Sequence, residues 1–219
     1  MFKWIDTIIF DLEWVIIDTK DIWKKVDEKF FLDKWLKYDI SVKNKVVGKT
    51  LEEVVIYYKN TYKINEKLDI LIKEYFLIVN ELFYSEIKYI NWFLEFFTYI
   101  ESKFNICVAT SIDKNLLSIV ENKFNIHNKF KNKVFSSSSY NLNWSCKEDI
   151  FKFAIKSMNS DNKKCIIIED SPLWIRSAKN LWVKSIALET NFNRNELLEA
   201  DYIFKDLLEL KIIFSKVLI

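Results

Sequence analysis

Apolar residues along this chain fall into two patterns. The first is a set of short, nearly unbroken runs at Ile8–Phe10, Ile106–Thr110, Cys165–Ile168 and Ser185–Leu188. Runs of that length without alternation fit strands buried on both faces, as in a parallel sheet. Val134–Phe135 and Ala200–Phe204 add two weaker strand candidates. The second pattern is helical. Amphipathic stretches cover Asp21–Leu36, a segment opening at Thr50, Glu66–Phe83 and Trp92–Phe104, and others follow the later strands from Lys114, over Trp144–Met158 and after Pro172. Thr50 and Glu53 have the spacing of a capping box before an apolar run. Between Thr19 and Ile90 no good strand pattern occurs. The chain therefore reads as α/β, with a helical insert at residues 19–90 between the first strand and the next.

Two buried runs end in acid. Ile8–Phe10 stops at Asp11, with Glu13 two residues on, and Cys165–Ile168 stops at Glu169 and Asp170. An ionised carboxylate at the end of a buried strand is unfavourable unless it is paired or binds a metal. The carboxyl edge of a parallel sheet is also where such folds place their sites.

These stretches resemble the motifs of the haloacid dehalogenase superfamily of phosphohydrolases. Residues 5–19 match motif I, usually hhhhDxDGhhhDT, except that Glu13 replaces the second Asp and Trp14 replaces Gly. Ile106–Thr110 followed by Ser111 resembles motif II, a strand ending in Thr or Ser. Residues 165–178 match motif IV, hhhEDSxxGhxxA, with Trp174 at its Gly. Motif III places a Lys just before a helix, often as GKPxPDIF. A gapless match on Asp149–Phe151 puts Ser145 there, and a shorter loop puts Lys147 there. Lys147 is preferred, since an ammonium suits a phosphate beside two carboxylates. The resemblance implies a Rossmann-like core from residues 1–18 and 91–219, with 19–90 as a helical cap of the phosphoglycolate phosphatase and β-phosphoglucomutase subgroup.

The resemblance also implies roles. Asp11 would be the nucleophile and form an aspartyl-phosphate. Glu13 would act as general acid and base. Thr110 and Lys147 would hold the phosphoryl oxygens. Mg2+ would sit on Asp11, the backbone carbonyl of Glu13 and Asp170, with Glu169 as a ligand or just behind one. The Glu side chain shifts its carboxylate by about 1.5 Å, although the enolase-phosphatase branch uses DxE. The expected activity is hydrolysis of a small phosphorylated metabolite such as a sugar phosphate. A phosphosugar mutase is the alternative, but its His and cap Arg align with Trp23 and Leu51. A non-catalytic binding protein is the third reading, if Trp14 is real and fills the phosphate site.

Composition removes other classes. The net charge of +2 over 219 residues offers no polyanion-binding surface, so nucleic acid is not expected as a partner. No run of 18 apolar residues suggests a membrane span. Asp6 and Asp11 interrupt any signal-peptide pattern, so a cytoplasmic location is expected. Cys107, Cys146 and Cys165 read as reduced thiols, and His127, the sole histidine, as structural. A monomer is expected.

One feature of composition is abnormal: a single Gly and eight Trp. Average usage of roughly 7% would give about 15 Gly. Trp14, Trp35, Trp92, Trp144, Trp174 and Trp182 stand where the family pattern has Gly, at turns or close contacts. Trp23 stands where the family accepts an aromatic, and Trp4 aligns with nothing informative. The expectation is that the six are Gly in the native protein, from a gene whose UGA codons are read as glycine. The alternative is a rebuilt active-site loop with genuine Trp.

Overall fold

The computed structural model describes residues 2–46, 49–137 and 147–217. The chain divides into two compact units, residues 1–18 with 88–219, and residues 19–87.

The larger unit is built on a sheet of six strands. In chain order these are β1 (Thr7–Phe10), β4 (Asn105–Thr110), β5 (Val134–Ser136), β6 (Cys165–Glu169), β7 (Lys184–Leu188) and β8 (Tyr202–Phe204). A separate antiparallel pair joins β2 (Ile17–Asp18) to β3 (Lys88–Tyr89). The spatial order of the large sheet is β5-β4-β1-β6-β7-β8, and every pairing is parallel. Around it lie α5 (Phe93–Ile100), α6 (Lys114–Phe124), α7 (Ile126–Lys129), α8 (Lys147–Ser157), α9 (Pro172–Asn180) and α10 (Leu207–Val217).

The unbroken apolar runs have a simple cause: both faces of the sheet are covered. Ile9 joins Cys107, Ala109 and Ile167 beneath Phe151 of α8 and Trp174 of α9. Phe10, one residue on, faces the opposite way. It meets the rings of Phe93, Phe96 and Phe130, each at 6.2 Å, and Phe96 in turn meets Phe214 of α10 at 5.5 Å. Cys107 and Cys165 are free and buried, and burial pushes the Cys107 thiol upward. His127 accounts for itself structurally: its backbone N–H donates to Glu121 at 2.8 Å and its Nδ1 contacts the same carboxylate at 2.7 Å.

Three local expectations shift. The last strand is shorter than Ala200–Phe204 and begins at Tyr202. Lys88–Tyr89 is a strand that pairs with Ile17–Asp18, so the larger unit resumes at residue 88, not 91. Two-residue strands carry no alternation to read. The serine run at 136–139 reads in sequence as a polar loop, yet Ser136 is the last residue of β5 and fully buried.

The smaller unit packs α1 (Lys20–Asp33) and α3 (Leu51–Tyr62) against α4 (Leu68–Glu86), with the short α2 (Lys43–Val46) between α1 and α3 in sequence. The capping box forms: the Glu53 N–H donates to Thr50 Oγ1 at 3.2 Å, and the Thr50 N–H donates to Glu53 Oε2 at 2.7 Å. Its core is aromatic, with Phe30, Phe31, Tyr58, Tyr75 and Phe83 all buried. Lys34 joins α1 to Glu66 and Glu74.

One acid is buried in that core. Asp27 accepts from the Tyr75 hydroxyl at 2.9 Å and is 5% exposed. Burial pushes its pKa up to about 6, against the opposing pull of the Tyr58, Tyr75 and Tyr38 hydroxyls; the nearby Glu28 charge adds to the rise. A carboxyl raised above its unfolded value stabilises the fold fully only below the unfolded pKa, about 4. That contribution is lost as pH rises through about 6. The window is worth up to about 3 kcal/mol. Urea denaturation should therefore show the parent losing stability from pH 4 to 6.5 relative to Asp27→Asn. Equal pH dependence in the two proteins would remove this role.

Candidate active site

β1 is the switch point of the sheet. β4 and β5 lie on one side of it, and β6, β7 and β8 on the other. Crevices beside the carboxyl ends of such strands are where α/β sheets bind ligands. Because the pairings are parallel, the residues that end β1, β4 and β6 share one edge.

Asp11 follows β1 directly and is 8% exposed. Its backbone N–H donates to the Ile168 carbonyl at 3.0 Å, carrying the β1–β6 ladder one step past the strand and setting Asp11 beside Glu169 and Asp170. Carboxylate oxygens of Asp11, Glu169 and Asp170 lie within 4.8 Å of one another, and all three residues are buried. Glu169 Oε2 also accepts from the N–H groups of Asp170 at 2.7 Å and Ser171 at 2.6 Å, which fixes the turn out of β6. Ser171 caps α9 and Pro172 occupies its first turn.

Three buried carboxylates this close cannot all ionise without a compensating cation. The donors are all oxygen, with no thiolate or imidazole among them, which suits a hard divalent ion such as Mg2+. The residues fit the metal that the resemblance implies.

The loop from Asp11 to Ile17 is tight. The N–H groups of Ile16 and Ile17 both donate to the Leu12 carbonyl at 2.9 Å, and the Trp14 N–H donates to the Ile17 carbonyl at 2.7 Å. The turn needs Trp14 at φ 66, in the left-handed region. Glu13 is half-buried in this loop, and its carboxylate is not among the three that converge. Its expected metal contact is through the backbone carbonyl.

Thr110 ends β4, the neighbour of β1, and is 1% exposed. Its Oγ1 accepts from the Ile112 N–H at 3.2 Å. The backbone of Lys147 begins α8. Its side chain, with Ser145 and Trp144, lies outside the described residues, so the choice between Lys147 and Ser145 falls there too. Strand-end position could have singled out Ser136, opposite Thr110 in the β4–β5 register, had the serine run not looked like a loop.

None of the described helices is long and apolar enough to cross a membrane. No curated protein sequence matches the chain. Solved structures do. A protein assigned as a β-phosphoglucomutase from Thermotoga maritima superposes with TM-score 0.82 at 17% identity, over 97% of this chain and 100% of that one. A haloacid dehalogenase-like family hydrolase from Streptococcus pneumoniae gives 0.73 at 19%, over 96% and 99%. A predicted phosphatase from Clostridium acetobutylicum gives 0.71 at 22%, over 97% and 99%. At these identities the likeness establishes the fold. The family model for haloacid dehalogenase-like hydrolases matches residues 8–188, from the strand before Asp11 to the end of β7. With a match over more than half its length, the chain belongs to the haloacid dehalogenase-like hydrolase family.

Proposed function

We propose that the chain is a Mg2+-dependent phosphatase of a small phosphorylated metabolite, such as a sugar phosphate, working through an aspartyl-phosphate on Asp11. The observation that carries this reading is the convergence of Asp11, Glu169 and Asp170 at the switch point. Thr110 ending the adjacent strand supports it.

Each residue has a task. An Asp11 carboxylate oxygen attacks phosphorus as the ester P–O bond breaks. Glu13 gives a proton to the departing oxygen, then takes one from a water. That water attacks the phosphorus, the bond to Asp11 breaks, and inorganic phosphate leaves. Thr110 and Lys147 steady the phosphoryl oxygens as charge spreads over them. Asp11, Asp170 and the Glu13 carbonyl would hold Mg2+, with Glu169 beside them. When bound, the ion supplies the positive charge that lets an anionic nucleophile meet an anionic phosphate.

The mutase alternative needs an acid–base group that this chain does not place where the family's mutases have it. At that position Trp23 is stacked edge-on against Phe83, with ring centroids 4.8 Å apart. The deciding assay incubates the protein with sugar phosphates and p-nitrophenyl phosphate, with Mg2+ or with EDTA. Mg2+-dependent release of phosphate supports the proposal. Isomerised sugar phosphate without release would replace it with the mutase reading. Mg2+ binding without either reaction would replace it with a non-catalytic role.

A further inference from the structure

The loop that follows β4 is anchored by the end of β5. Three consecutive carbonyls are held. Thr110 O accepts from the Ser137 N–H at 3.1 Å, Ser111 O from the Ser137 hydroxyl at 3.3 Å, and Ile112 O from the Ser136 hydroxyl at 2.8 Å. Ser136 is fully buried and sits opposite Thr110 in the β4–β5 register. Ser136 thus holds Ile112 from its carbonyl side, and on the other side of the same Cα the Ile112 N–H donates to Thr110 Oγ1.

A threonine hydroxyl has one proton to give and two lone pairs to receive. The Ile112 N–H fills one lone pair, which turns the remaining donor and acceptor away from the loop backbone. The rotamer of Thr110 is thus set by the Ile112 N–H, and Ile112 is pinned on its carbonyl side by the shorter Ser136 bond and on its amide side by the Ser137 bond to Ser111 O. We infer that Ser136 is a positioning residue: through Ile112 it orients the Thr110 hydroxyl to donate to a bound phosphoryl oxygen. The inference rests on the proposed phosphatase reading for the role of Thr110. It differs from it in placing a required group on β5, away from the carboxylates.

In Ser136→Ala the Ile112 carbonyl loses its buried donor. The loss of one such bond corresponds to about a tenfold effect. Two readouts are taken on the full chain with Mg2+: binding of inorganic phosphate by calorimetry, and kcat and KM for p-nitrophenyl phosphate. The proteins are the parent, Ser136→Ala, Thr110→Val and the double variant. Ser136→Ala is expected to weaken phosphate binding and lower kcat each about tenfold. In the Thr110→Val background the same change is expected to add almost nothing, since both residues act through one hydroxyl. Ser136→Thr, which keeps the donor, is expected to retain near-parental values.

Equal losses in both backgrounds would overturn the inference, as would a Ser136→Ala protein indistinguishable from the parent. If Ser136→Ala does not fold, Ser136→Cys, with its weaker donor, takes its place in the cycle and the same criteria apply. Coupled phosphate binding without turnover would overturn the phosphatase reading and leave the inference standing. Turnover without coupling would do the reverse. A parent that neither binds phosphate nor turns over would overturn both.

Discussion

Asp11→Asn is expected to reduce phosphate release by at least on the order of 10³-fold, since loss of a covalent nucleophile leaves only binding and electrostatics to act. The amide has nearly the shape of the carboxylate, so the Asp11 N–H bond to Ile168 that sets the loop beside β6 is retained. The same substitution has a second consequence of opposite sign. Asp11, Glu169 and Asp170 bring carboxylate oxygens within 4.8 Å of one another. Two like charges at about 4 Å repel by about 4 kcal/mol at an effective dielectric of about 20. Removing one should raise Tm in EDTA. It should also shrink the rise in Tm that Mg2+ produces, because stabilisation by a ligand follows its affinity for the folded state. An Asn variant retaining a tenth of parental turnover would move the nucleophile elsewhere. An undiminished Mg2+ shift would remove Asp11 from the metal site.

The residues that were legible in sequence are those whose chemistry conflicts with their surroundings. Asp11, Glu169 and Asp170 each terminate an apolar run, and an acid in that setting asks for a cation. The strands themselves were readable because Ile8–Phe10 and Ile166–Ile168 are apolar on both faces, and the sheet does cover both. Ser136 was not readable, since its importance lies in a hydrogen bond to residue 112 across a strand pairing, and serine is as common in loops. Asp27 was equally silent. It lies among charged residues on an amphipathic helix, and only the packing of Tyr58 and Tyr75 from other helices shows that it is buried. The β2–β3 pair escaped because pairing over two residues is decided by tertiary contact alone.

Replacing Trp14, Trp35, Trp92 and Trp182 together by Gly is expected to stabilise this chain by about 4–8 kcal/mol, from about 1–2 kcal/mol for each residue held in the left-handed region. All four have positive φ, at 66, 56, 68 and 59 degrees. Two of them close helices in the same way. At the end of α1 the Leu36 N–H reaches the Phe31 carbonyl and the Trp35 N–H the Leu32 carbonyl. At the end of α9 the Val183 N–H reaches Ala178 and the Trp182 N–H reaches Lys179. This is the Schellman arrangement, whose left-handed position is usually Gly and sometimes Asn. The chain supplies its own control at the end of α8, where Ser160 bonds back to Ile155 and Asn159 to Lys156, with Asn159 in the left-handed residue's place. Trp35 and Trp182 are 96% and 86% exposed, so burial of the indole offsets none of the strain. A combined gain of that size rivals the whole stability of an ordinary domain, roughly 5–15 kcal/mol. Trp174 behaves differently. It lies within α9, is 2% exposed and packs against Phe151 with ring centroids 5.0 Å apart. Trp174→Gly in this chain should leave a cavity and cost at least about 3 kcal/mol. Trp144 lies outside the described residues. Urea denaturation of the quadruple variant and of Trp174→Gly tests the backbone argument, and the codons of the gene test its origin. UGA at 14, 35, 92 and 182, with UGG at 23, would make glycine the native residue at those turns, including the one beside the nucleophile. UGG throughout, or a quadruple variant no more stable than its parent, would mean that this chain holds its turns with tryptophan.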